Sequence, residues 1–185
     1  MLKSKRVALR PVRKSDISLF LKWFNDPEIM RNLGLHLPVT EVEEEKWIES
    51  LATTRKQTDV ILVIEAGKKR IPIGCVSLNK INRENQNAEL SVAIGEKRYR
   101  GRGYGPEAIG LLMEHGFVQL NLHRVYTGAY AFNEASLRAL TKCGFRREGR
   151  QRQAVFTDGR FWDNVLFGIL RTEWQKLSPV RDRNR

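Results

Sequence analysis

Cysteine is scarce in this chain of 185 residues, which carries only Cys75 and Cys143, far apart in sequence. With no paired ligand spacing around them or around the three histidines, the sequence argues against a metal centre, and both thiols read as structural. Long apolar runs are missing too. No stretch of about 18 apolar residues exists to cross a bilayer, and the start Met1-Leu2-Lys3-Ser4-Lys5-Arg6 lacks the apolar core of a signal peptide. A cytoplasmic protein without a membrane partner is expected. Acidic side chains are in deficit as well, 21 against 33 Lys and Arg, giving a formal charge of +12 that asks for an anionic partner. No internal repeat or linker interrupts the chain. The expected layout is one domain over residues 1–176, large enough to bury its own core, and a basic, flexible tail over 177–185. A monomer or a homodimer is expected.

What the chain does have is Arg98-Tyr99-Arg100-Gly101-Arg102-Gly103-Tyr104-Gly105-Pro106-Glu107, a glycine-rich basic turn between an apolar strand and a long amphipathic helix. Three glycines at alternate positions let successive N–H groups converge on one anion. Pro106 suits the first position of a helix, whose positive end then faces that anion. The helix presents Ile109, Leu112, Met113, Gly116, Phe117 and Leu120 on one face, which fixes the turn to a buried element. A Walker loop is a poor fit because no Gly-Lys-Ser/Thr ends the turn. A dinucleotide fold is another poor fit, because several strands precede the turn.

The segment Arg100-Gly101-Arg102-Gly103-Tyr104-Gly105 resembles the Arg/Gln-x-x-Gly-x-Gly/Ala signature of the GNAT acetyltransferase superfamily. Asn133-Glu134-Ala135-Ser136 with Lys142-Cys143-Gly144-Phe145 resembles that family's second block. Leu9-Arg10-Pro11, Ile73-Gly74 and Phe156-Thr157-Asp158-Gly159-Arg160 are similar to the RimJ/RimL-like branch, so the likeness covers roughly residues 6–175. The resemblance implies an α+β, three-layer GNAT-like fold: a mixed, mostly antiparallel sheet of about seven strands flanked by about four helices. It also implies acetyl-CoA as donor, with Arg100, Gly101, Arg102, Gly103, Tyr104 and Gly105 at its pyrophosphate, Ala93 or Ile94 at its thioester carbonyl, and Asn133 and Ser136 as further contacts.

In chain order, residues 6–10 read as a strand and Ser15 as the cap of a helix carrying Ile17, Phe20, Leu21 and Phe24, ended by Asp26-Pro27. An irregular segment follows over 28–38. The resemblance places the acceptor wall here, which makes Trp23, Asn25, Asp26 and Asn32 candidate substrate-lining residues; core packing for Trp23 and helix termination for the others are the simpler readings. Thr40 and Glu43 fit a capping box for a second helix with Trp47, Ile48 and Leu51 on its apolar side. Its carboxylates, Glu41, Glu43, Glu44, Glu45 and Glu49, either keep it soluble or form a funnel for a cationic amine.

Strands are expected over 59–65, 71–79, 87–94 and 124–130, with the first two joined by a turn over 67–70 and a closing hairpin over 145–156 and 161–170. Asn133 caps a short helix ended by Gly144. Alternation along 87–94 sets Glu89, Ser91 and Ala93 on one face, and Glu89 is the candidate general base, with a structural carboxylate as the alternative. The position where many relatives carry a general-acid tyrosine is Leu140 here, so Ser136 or water is assigned that role.

The reaction implied is direct transfer of acetyl to a neutral primary amine. An α-amino group, pKa about 7.7 to 8.0, is neutral to about a tenth at pH 7, whereas a lysine-like amine of pKa about 10.4 is neutral in about one molecule in 2,500. Weak acid–base equipment therefore suits a protein N-terminus, which is the first expectation for the acceptor. A polyamine or aminoglycoside, suited to the acidic helix, is the second. A non-catalytic CoA- or RNA-binding module, using the basic clusters at residues 97–102 and 146–152 and the tail, is the alternative of another class. Contact with an acidic protein or RNA is the expectation tied to those clusters.

Overall fold

The computed structural model describes residues 2–53 and 58–177. Its frame is an eight-stranded sheet, β1 (Leu2–Lys3), β2 (Val7–Pro11), β3 (Val60–Ala66), β4 (Ile71–Asn82), β5 (Asn87–Ile94), β6 (Arg124–Tyr130), β7 (Arg146–Thr157) and β8 (Arg160–Leu170), in the order β1-β2-β3-β4-β5-β6-β8-β7. Every neighbouring pair is antiparallel except β5 and β6. The expected architecture is present with one strand more than the seven anticipated. The extra one is the two-residue β1, too short to leave a periodic signal.

Among the described residues six helices cover the two faces: α1 (Ile17–Phe24), α2 (Pro27–Leu33) and α3 (Glu41–Thr53) on one, α4 (Tyr104–Glu114), α5 (Glu134–Lys142) and α6 (Arg171–Leu177) on the other. Two cores result. Leu9, Ile64, Val76, Leu90, Ile109, Leu112, Val125 and Phe167 fill the space beneath α4, while Phe20, Trp23, Ile29, Ile48 and Val63 fill the space beneath α1 to α3. Strand alternation explains the division, since residues opposite one another across a pair share a face: Val76, Leu78 and Leu90 turn to α4, and Val63 and Cys75 turn away from it.

Three local expectations need correcting. The segment 28–38 is not wholly irregular, because α2 occupies its first half, started by Asp26 accepting from the Glu28 and Ile29 N–H groups and stopped by Gly34 at φ +69°. Ser15 is not a cap; it lies in a 3₁₀ turn, Lys14–Asp16, where the Asp16 carboxylate accepts from the Arg13 N–H. Helix α4 begins at Tyr104, with Gly103 at φ +84° before it, so Pro106 is the third helical residue and not the first. That site still needs no N–H bond within the helix. The capping box of Thr40 with Glu43 forms as expected, at 2.9 and 3.3 Å. Helix α6 ends at Leu177, and residues 178–185, nearly all of the expected basic tail, lie outside the described residues. No helix among the described residues is long and apolar enough to cross a membrane.

Candidate active site

The site begins where two strands part. β5 and β6 run in parallel register only from Asn87 opposite Arg124 to Glu89 opposite Tyr126. Beyond that point β5 stays with β4 as far as Ile94, and β6 stays with β8 as far as Tyr130. The facing edges of 90–94 and 127–130 are thus left without strand partners, and an extended ligand can bond to them as a third strand would.

The glycine loop stands at the β5 side of this opening. Gly101 and Gly103 take positive φ, +70° and +84°, a conformation that costs other L-residues about 1–2 kcal/mol. A Cβ on Gly101 would meet nothing within 4 Å, so the space before it is open. Among the described residues, no loop carbonyl or side chain accepts from the N–H groups of Gly101, Arg102, Gly103, Tyr104 or Gly105. With the positive end of α4 behind them, these donors form an anion cradle. Glu107 would oppose an anion there, but it is neutralised: Arg6 pairs with it at 2.6 Å and Ser4 bonds to it, which outweighs the effect of burial and holds its carboxyl below the usual range. From the cradle an open groove of about 690 Å³ runs past Gly110, Lys142 and Trp174, room for the nucleotide end of a cofactor.

Arg100 does not point into that cradle. Its guanidinium donates to the carbonyls of Ile94 and Gly95, both at 2.9 Å, and pairs with Glu28 at 2.5 Å. The first residue of the signature therefore clamps the loop to the end of β5 and to α2. Tyr104 is likewise half-buried, its ring edge-on to Tyr99 and covered by Arg6.

Across the opening, β6 ends in a turn whose Asn133 N–H donates to the Tyr130 carbonyl. Asn133 Oδ1 accepts from the Ser136 N–H at 3.0 Å, which caps α5; among the described residues nothing accepts from its Nδ2, which stays available to a ligand. Leu140 is 3 % exposed and belongs to the core, so its side chain offers nothing to the opening.

The candidate acceptor residues divide in the same way. Trp23 is 2 % exposed, its indole N–H bonded to Glu96, and its ring would lie 2.1 Å from a Cβ on Gly95; it is a core residue. Asn25 holds both the N–H and the carbonyl of Val39, fixing the loop between α2 and α3. Asp26 starts α2 and pairs with Lys97 at 3.1 Å; burial opposes its ionisation, but Lys97 and the Ile29 N–H outweigh it and hold the carboxyl below its ordinary range. Asn32 is half-buried on α2. Glu89 sits at the closed end of the splay with its carboxylate on Lys80 at 2.8 Å.

Sequence reasoning missed how α2 bridges the site. At one end it meets the loop through Glu28 and Arg100; at the other, Arg31 pairs with Asp158 at the tip of the β7–β8 hairpin and lies 4.2 Å above the Phe132 ring. Gly34 closes against the Tyr130 hydroxyl. The hairpin tip is the expected Asp-Gly turn, with φ +53° and +73°. Two of its arginines pair within the chain, Arg146 with Glu173 and Arg150 with Asp163, and both stay largely exposed.

A sequence model described as the acetyltransferase (GNAT) domain matches residues 6–146. Among curated proteins, the SPbeta prophage-derived uncharacterized N-acetyltransferase YokL of Bacillus subtilis is 30 % identical over 170 residues, 91 % of this chain and 92 % of that protein. Spermidine N(1)-acetyltransferase of Escherichia coli is 26 % identical over 172 residues, 91 % and 88 % of the two chains. Among solved structures, spermidine N-acetyltransferase from Vibrio cholerae in complex with CoA and spermine has the same fold at a TM-score of 0.84 and 24 % identity, covering 92 % of this chain and 99 % of that one. The open cradle and the unpaired strand edges fit acetyl-CoA, and the chain belongs to the GNAT acetyltransferase family as an acetyl-CoA-dependent N-acetyltransferase.

Proposed function

We propose that this enzyme acetylates a primary amine of a small polyamine-like molecule, in preference to a protein N-terminus. The observation that carries the choice is the alignment over 91 % of the chain with a spermidine N(1)-acetyltransferase, and the geometry supports it. α2 and the hairpin tip are tied together over the α1–α3 side of the splay, an enclosure that suits a slender chain. The first expectation, a protein N-terminus, rested on weak acid–base equipment, and the likeness to a spermidine acetyltransferase outweighs it.

Acetyl-CoA supplies an activated thioester carbon. The chain's own part is positional and electrostatic: the amides of residues 101–105 hold the pyrophosphate, the free edge of β5 aligns the acyl arm, and an N–H at Ala93 or Ile94 stabilises charge developing on the carbonyl oxygen. Asn133 Nδ2 and Ser136 face the leaving end, where a thiol of pKa about 8.5 departs without full protonation. Residues 1–176 act as one catalytic unit in this reading, in the cytoplasm.

The test is competitive. Incubation with acetyl-CoA and an equimolar mixture of spermidine, spermine and peptides with free N-termini, followed by mass spectrometry, is expected to give acetylated polyamine. Acetylation confined to the peptides would overturn the proposal.

A further inference from the structure

The strand β7 stands at the edge of the sheet, with β8 on one side and no strand on the other, and every residue from 146 to 154 is exposed. Its charge is of one sign. Arg146, Arg147, Arg150 and Arg152 stand against Glu148, and Glu148 is already bonded to Arg124. Among the described residues no carboxylate pairs with Arg147 or Arg152, and the partners of Arg146 and Arg150 leave both guanidinium groups largely exposed.

Two phenyl rings accompany these charges. Phe156 and Phe161 face each other across the β7–β8 pair, 5.1 Å between ring centroids, and are 53 % and 62 % exposed. Residues opposite one another share a face, so positions 161, 165 and 167 of β8 set Phe156, Arg150 and Arg147 on one side of the hairpin. Val165 and Phe167 bury the inner end of that side, and the two phenylalanines carry it out past the core. From residue 147 to 156 it spans at most about 30 Å. Trp162, which meets Phe132, belongs to the other side, the one turned to the acceptor opening.

Guanidinium groups and exposed rings on one strand pair are the two parts of a surface for single-stranded nucleic acid, cations following the phosphates and rings stacking the bases. Two other uses of the strand account for less. Charge alone keeps an edge from pairing with another chain, and exposed phenylalanines work against that purpose. An acidic peptide adding as a further strand needs a regular row of backbone donors and acceptors. β7 is interrupted by register shifts between Arg147 and Gly149 and between Gln151 and Val155, and the Gln153 N–H, at φ +51°, is taken by the Asp163 carboxylate at 2.8 Å. We propose that this side of the β7–β8 hairpin binds single-stranded RNA, whichever amine the enzyme acetylates. RNA is the occupant because its loops and ends present unpaired bases, while DNA is mostly paired.

Fluorescence anisotropy tests this on the full chain, with a labelled uridine strand of about 12 nucleotides at about 50 to 200 mM salt. An RNA duplex, a thymidine DNA strand and an acidic peptide of the same length are the comparisons. The uridine strand is expected to bind at least about tenfold more tightly than the duplex or the peptide, and no less tightly than the DNA strand. Phe156→Ala/Phe161→Ala leaves the charge intact and should lose about tenfold in RNA affinity, with Tm within about 2 °C of the parent. Arg147→Gln/Arg152→Gln should flatten the slope of log affinity against log salt by about 1.4, two phosphate contacts at about 0.7 each. A phenylalanine variant that binds RNA within about twofold of the parent reduces the interaction to net charge and overturns the proposal. Duplex or peptide bound as tightly as the uridine strand, or DNA bound more tightly, overturns it as well.

Discussion

Replacing Arg100 with alanine separates two accounts of the phosphate loop. In the structure the guanidinium is an internal clamp, 21 % exposed, with charge-assisted bonds of 2.9 Å to the carbonyls of Ile94 and Gly95. Each such bond is worth about 1.5–3 kcal/mol, and both carbonyls are left unmet in the variant. The pair with Glu28 adds little, because that carboxylate is 57 % exposed. The sum is about 2–4 kcal/mol after relaxation and hydration of the freed carbonyls, and at about 2–4 °C per kcal/mol for a domain of this size the free enzyme should lose about 5–15 °C in Tm. Acetyl-CoA affinity should fall with it, since the loop amides lose their anchor. Lysine should recover little, having a point charge where two carbonyls need a planar fork. Thermal melts without ligand, paired with calorimetry at low and high salt, read both effects. The account is refuted if the ligand-free Tm is unchanged while affinity falls and becomes less dependent on salt, for that is the mark of a side chain bonded directly to phosphate.

Two further outcomes follow from the buried interior. Arg10 holds Asp16 and Glu65, all three less than a tenth exposed, so Arg10→Met should cost about 3–5 kcal/mol at pH 7 by leaving two carboxylates unpaired. Burial disfavours ionised Asp16, but Arg10 and the Arg13 N–H outweigh it and lower its pKa in the folded state. Its contribution is therefore present above the unfolded carboxylate pKa of about 3.8 and lost as pH falls from there through the folded one, so the deficit of Arg10→Met should shrink below about pH 4; equal deficits in urea melts at about pH 7 and about pH 3 would contradict this. Gly95→Ala sets a methyl 2.1 Å from the Trp23 ring, which Glu96 and Phe20 hold in place, and should cost about 3 kcal/mol or more; a Tm equal to the parent's would show that Trp23 is free to move.

The sheet was legible because its strands are long and alternate cleanly: residues 87–94 and 124–130 coincide with β5 and β6, and Asp158-Gly159 announced the closing turn. Loop chemistry was legible for a similar reason, since only glycine readily takes the positive φ found at 101 and 103. Side-chain direction was not. Nothing local told Arg100 to turn back onto strand carbonyls that precede it by several residues, and Asp26, read as a helix stop, is as much the start of the next helix. α2 escaped notice because a seven-residue helix with one buried side chain, Ile29, carries no period. Glu44 was hidden in an acidic run, although its spacing from Trp47 and Ile48 sets it on the same inward side as those two apolar residues, while Leu51, also expected there, is exposed.

The claim on which the rest depends is that the amides of residues 101–105 hold the pyrophosphate of acetyl-CoA. Calorimetric titration of the parent and of Gly103→Glu tests it most directly, because the substitution puts bulk and negative charge into the cradle at a position of φ +84°. Micromolar binding to the parent and none to a variant that still unfolds cooperatively is the predicted result. Equal affinity for the two proteins would contradict it and move the cofactor to another part of the molecule.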